Sequence, residues 1–213
     1  KVNLSDYNID IFIAHSSAEF IEDCEHKKWS TTQLAKKYNT QTMTKDKLNN
    51  EIQAYFDNDE KFSSFISTMN SGVYIFGHSH IQWYWQSKDG RITLINPGSC
   101  GLPLDGIKNS IPYTILEITN NGQVSVIEKR LSFDMQNYID TIKKSDQYKK
   151  ANVWSKVIIK ELVTAKEHLY FFLHFTEEYA NQIGDTRRPF ALETWENAYK
   201  LWEKEFITNK QEI

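Results

Sequence analysis

Apolar residues arrive along this chain in two rhythms. Over residues 8–15 and again over residues 72–77 they form short dense runs, Ile9, Ile11, Phe12, Ile13, interrupted by Asp10, and then Val73, Tyr74, Ile75, Phe76, closed by polar residues. Such runs of β-branched and aromatic residues predict buried strands. Between them the spacing becomes helical: Leu48, Ile52, Tyr55 and Phe56 predict a helix over about 44–57, and Phe62, Phe65, Ile66 and Met69 a second over about 60–69. Ser30-Thr31-Thr32-Gln33 has the form of a capping box, which predicts a helix over 30–38. Strands over 81–86 and 91–96 are joined by Lys88-Asp89-Gly90, and strands over 112–119 and 123–130 by Asn120-Asn121-Gly122, two hairpin turns with glycine where the backbone reverses.

After Arg130 the rhythm is helical throughout. A helix is expected over 133–146. A long stripe over 153–182 carries Trp154, Val157, Ile158, Leu162, Ala165, Leu169, Phe172 and Tyr179. The run Gly184-Asp185-Thr186-Arg187-Arg188-Pro189 breaks it, and Phe190, Leu192, Trp195, Tyr199, Trp202 and Phe206 resume the period over 190–207. Strands first and helices segregated early and late predict an α/β chain. The expected division is residues 1–132 as a sheet-bearing domain and 133–213 as a helical appendage, an α-hairpin that packs on the sheets or meets a partner, a homo-oligomer included.

Composition narrows the function. With 213 residues, 40% of them hydrophobic, the chain can bury one core or a core and an appendage. A net charge of −3 argues against nucleic acid held by bulk electrostatics. No apolar run reaches the length of a membrane span. Two cysteines, Cys24 and Cys100, give neither a disulfide framework nor a metal spacing, and a reduced, cytoplasmic protein is expected.

The chemistry concentrates in Gly77-His78-Ser79-His80 and the downstream Asn96-Pro97-Gly98-Ser99-Cys100-Gly101. On an extended backbone His78 and His80 would share a face with about 6–7 Å between their Cα atoms, a spread suited to two metal ions about 3.5–4 Å apart. Gly77 is expected to remove a side chain that would crowd them. His15 likewise ends an apolar strand. His26, by contrast, lies among charged residues. His168 and His174, six apart on an aromatic stripe, read as packing or exposed residues. Trp83 and Trp85 read as a sheet face under a helix, with base or sugar stacking as the other use. Arg187 and Arg188 read as a solvated turn, with phosphate binding as the other use. Ser99 has no nucleophile elbow or partner base.

Taken in order, the strand-end His15, the Gly-His-x-His and the Asn-Pro-Gly-Ser resemble the C-terminal part of a calcineurin-like metallophosphoesterase of the small bacterial predicted-phosphodiesterase type, over about residues 8–130. The resemblance implies an incomplete metallophosphoesterase β-sandwich, two packed sheets flanked by helices, with metals at the strand ends. It implies that His15 and His78 bind one divalent ion and His80 another. Manganese is the family's usual metal in bacterial members, while Fe, Zn or Ni also suit these ligand types. It implies a small phosphate-ester substrate against a rim loop that includes Gly98 and Ser99. The family's Asp-x-His, Gly-Asp and Gly-Asn-His-Asp motifs do not occur in these residues, and the polar stretch over 16–70 is longer than the family often has. The expectation is therefore the second half of a phosphoesterase domain, inactive alone, whose intact parent is the enzyme. The alternative is a non-catalytic interaction scaffold, a use to which some relatives put this fold.

Overall fold

Seven strands and seven helices form in a computed structural model that describes residues 2–4, 9–15, 44–58 and 60–209. Among the described residues the chain is mixed α/β, with two small sheets and no barrel. The helix expected over 30–38, His26 and Cys24 lie outside the described residues. By contact the chain divides into two compact units, Lys1–Phe133 and Asp134–Ile213.

In the first unit β1 (Val2–Leu4), β2 (Ile9–Ile13), β3 (Gly72–Ile75), β4 (Gln82–Gln86) and β5 (Ile92–Pro97) make a five-stranded sheet in the order β1-β2-β3-β5-β4. β2, β3 and β5 run parallel, and β1 and β4 are antiparallel edges. A parallel pair needs a crossover, and the β2–β3 connection supplies one that includes α1 (Lys45–Asn58) and α2 (Glu60–Thr68). Leu48, Ile52, Phe56, Phe62 and Ile66 of these helices pack on Tyr74, Phe76, Trp83, Trp85, Ile92 and Leu94 of the sheet. Trp83 and Trp85 thus take their place under helices, 4% exposed each, and Trp85 Nε1 donates to Asp57 Oδ1 at 3.1 Å.

β6 (Ser110–Ile118) and β7 (Val124–Ser132) form a separate antiparallel ribbon. It faces the other side of the sheet, where the period of two in β4 places Gln82 and Gln86. Gln82 Nε2 donates to the Tyr113 carbonyl at 2.9 Å and Gln86 Nε2 to the Val124 carbonyl at 3.2 Å. Lys45 Nζ, on α1, donates to the Gln82 carbonyl and pairs with Glu128 of β7 at 2.7 Å; burial is the main force lowering its pKa.

The second unit contains α3 (Met135–Lys144), α4 (Asp146–Lys150), α5 (Asn152–Thr164), α6 (Leu169–Ile183) and α7 (Leu192–Asn209). Asp134 caps α3 by accepting the Asn137 amide at 3.0 Å. Val153, Val157, Phe172, Ala198, Tyr199 and Trp202 form its core. The stripe expected as one helix over 153–182 is two. Ala165 turns left-handed (φ 54°) and closes α5, so the expected hairpin is an arrangement of three long helices preceded by two shorter ones. No helix among the described residues is long and apolar enough to cross a membrane.

Candidate metal centre

The parallel register of β2 and β3 carries the chain ends on together. Ile13 stands opposite Ile75, the Ala14 amide donates to the Ile75 carbonyl at 3.0 Å, and beyond it the amides of Gly77 and His78 both donate to the His15 carbonyl at 3.1 and 2.9 Å. Residues 63 apart in sequence therefore meet: His15 Nε2 and His78 Nδ1 are 3.0 Å apart, with the rings edge to face at 4.9 Å between centroids. Both imidazoles are exposed. As the rings stand, one nitrogen carries the hydrogen and the other accepts it. Two donor atoms this close fit one ion's shell, since imidazole nitrogens ligate at about 2.0–2.1 Å.

The Gly77–His80 stretch is not extended. The His80 amide donates to the Gly77 carbonyl at 3.1 Å, and His80 is left-handed, φ 57°. The strand geometry expected for His78 and His80 is thus replaced by a tight turn, because β3 ends at Ile75 and its hydrogen bonding ends with it. Gly77 does not relieve crowding either: a Cβ built on it meets nothing within 4 Å. His80 instead directs Nδ1–H at the Leu102 carbonyl, 3.1 Å away. That bond fixes the tautomer and leaves Nε2 with its lone pair in the neutral ring, as a backbone acceptor does behind a metal-binding histidine.

The loop after β5 straps this turn. Asn96, 1% exposed, donates from Nδ2 to Ser79 Oγ at 2.7 Å and accepts the Gly98 amide on Oδ1 at 3.0 Å. The Leu104 amide donates to the His80 carbonyl at 3.3 Å. Gly98 has φ 82°, and a Cβ there would lie 2.6 Å from Pro112 Cγ, so glycine is required twice over. Ser99 Oγ accepts the Leu102 amide at 3.0 Å, and Cys100 beside it is exposed with a free thiol. The polar end of an otherwise buried apolar strand was the sequence signal for Asn96. The Leu102 carbonyl had none, because a backbone acceptor on an apolar residue leaves no mark in the sequence.

The other candidates are engaged elsewhere. His168 is buried, its Nε2 2.8 Å from Thr164 Oγ, and His174 is exposed against Tyr170. Arg187 makes a two-pronged pair with Asp185 at 2.8 and 3.0 Å, and Arg188 pairs with Glu177. The Arg187 and Thr194 hydrogen bonds hold the Asp185 carboxyl well below the usual carboxylate range. A cleft of about 260 Å³ lined by Phe56, Asp57, Phe62, Ile66, Trp85 and Lys88 includes none of the histidines.

No protein-family model and no curated protein sequence matches the chain. Among the described residues no group of three or more His, Cys, Asp or Glu is arranged to hold a metal ion. The fit to a dinuclear centre is therefore partial. His15 and His78 converge and the bond to the Leu102 carbonyl orients His80, while a bridging carboxylate is not part of any such group among the described residues.

Proposed function

We propose that this chain carries one side of the metal centre of a phosphoesterase, acting on a small phosphate ester and specifically on a diester. The observation that supports this reading is the meeting of His15 Nε2 and His78 Nδ1 at 3.0 Å, from strand ends 63 residues apart. Adjacent parallel strands that both lead into a histidine place donor atoms beyond the carboxyl ends of the sheet, the usual position for a site in a sheet of this kind. Divalent ions, manganese by family resemblance, would supply charge neutralisation at the phosphoryl oxygens and a nucleophilic water at neutral pH. His15 and His78 would hold one ion and His80, through Nε2, the other. The loop with Gly98 and Ser99 would shape the rim, and the Asn96–Ser79 bond keeps it fixed to the histidine turn. A bridging carboxylate would complete the working centre from outside the described group. A β-sandwich completed by further strands and a cytoplasmic setting belong to the same proposal.

The chain incubated with manganese and an aryl phosphodiester is expected to give turnover near the uncatalysed level. Rapid hydrolysis that disappears in His78→Ala would contradict the claim that the centre is incomplete.

The scaffold alternative draws on a different observation. Tyr113, Ile115 and Leu131 share the outer face of the β6–β7 ribbon and are 44%, 40% and 59% exposed. In this reading the ribbon would meet a partner. The aromatic residues Phe172, Tyr199 and Trp202 of the helical unit are packed in that unit's own core.

A further inference from the structure

Two carboxyl groups are buried where α5 gives way to α6. Glu161 lies in α5 and is 1% exposed; Glu167, in the short connection, is 7% exposed. Both point at the head of α6, whose opening amides have no partners within the helix. Glu161 Oε1 accepts the amides of His168 and Leu169 at 2.8 and 2.7 Å, and Glu167 Oε1 accepts the amide of Tyr170 at 2.7 Å. The cap residue His168 offers no side-chain bond of its own to these amides. Glu161 thus caps a helix from seven residues upstream, across the left-handed turn at Ala165.

The second oxygen of Glu161 is the anomaly. Oε2 is buried and among the described residues no donor reaches it. The neighbouring acid is Glu167, whose Oε1 takes the Tyr170 amide next to the Leu169 amide held by Glu161, and a carboxylate there is itself an acceptor when ionised. Two ionised carboxylates held together out of water repel; a proton between them converts the repulsion into a hydrogen bond. We propose that Glu161 and Glu167 share a single proton at neutral pH and so form a latch, released by alkali, that fastens the head of α6 to the end of α5.

The electrostatics agree with the geometry. Burial first, and then the Glu167 charge, push the Glu161 carboxyl up to about 8, against the pull of the His168 and Leu169 amides. His168 Nε2 turns to Thr164 Oγ and its ring meets Trp202 of α7 edge-on. Lys160 of α5 pairs with Glu203 of α7 at 3.2 Å, and Glu203 also accepts from Tyr199 at 2.9 Å. The folded chain keeps a proton that an unfolded glutamate, with its ordinary value of 4.5, would release. The latch's contribution is therefore whole below about pH 4.5, and it is lost as pH rises through about 8.

Glutamate-labelled full-length chain followed by carbon NMR from acid to alkaline pH tests the shared proton directly. One side-chain carboxyl should titrate near 8, and its signal should be absent in Glu161→Gln. In Glu167→Gln the Glu161 carboxyl should titrate lower than in the parent. Amide exchange tests the latch. Protection of Leu169 and Tyr170 should fall roughly tenfold or more across the same alkaline range in the parent. In Glu161→Gln, whose amide keeps the acceptor and donates permanently to Glu167, protection should hold. If every glutamate titrates in the ordinary acidic range, or if protection falls equally in parent and variant, the proposal is overturned. The titration of the parent decides the question even where a variant fails to fold.

Discussion

Asn96 contributes two hydrogen bonds from a position closed to water, one to Ser79 in the histidine turn and one to the Gly98 amide in the loop after β5. Asn96→Ala removes both and leaves the Gly98 amide without its acceptor. A loss of about 1–3 kcal/mol is expected in denaturant unfolding of the sheet unit, with Asn96→Asp, which keeps the acceptor, losing less. Gly98→Ala forces a Cβ into the left-handed region and against Pro112 at 2.6 Å, and should cost at least about 1–2 kcal/mol by the same measurement. Neither substitution replaces a histidine, so a change in unfolding reports the loop's own bonds to the turn rather than the loss of a donor nitrogen. The histidines themselves were legible in the sequence because they follow apolar strands. That His15 lies against His78 follows from a parallel register across more than sixty residues, which local pattern does not contain.

At the scale of elements, the strands and the two hairpins were legible because alternation and Asp-Gly or Asn-Gly turns are local signals. The break between α5 and α6 was not. The apolar period runs straight through it, no glycine or proline marks it, and the cap is a glutamate seven residues upstream. The turn at His78–His80 was misread for a related reason: two histidines two apart after a strand look extended, while the backbone has already left the sheet. Phe172 is the residue on which the second core closes, 1% exposed and in ring contact with Trp195, Tyr199 and Trp202. Phe172→Ala should destabilise the helical unit by about 3–5 kcal/mol, seen as an earlier loss of helical signal on heating.

For the whole molecule, the division at Phe133 and Asp134 means that each core has its own hydrophobic cluster. Asn96→Ala and Phe172→Ala remove contacts within different units, and their costs should add to within about 0.5 kcal/mol in the double variant. A large coupling would mean that the clusters are energetically one. The ribbon's outer face and the exposed histidine pair both belong to the first unit, so the catalytic and scaffold readings make opposing demands on the same hundred-odd residues. Metal binding separates them.

The direct measurement is a titration of the full chain with Mn²⁺, watching the histidine ring signals by proton–nitrogen NMR. Paramagnetic broadening is predicted to appear first at His15 and His78, to be weak and readily reversed by chelator because a pair of imidazoles is a small part of a full ligand shell, and to vanish at His15 in the His78→Ala variant. Broadening that spares His15 and His78 while reaching His168 or His174, or that persists unchanged in that variant, would contradict the metal-centre account.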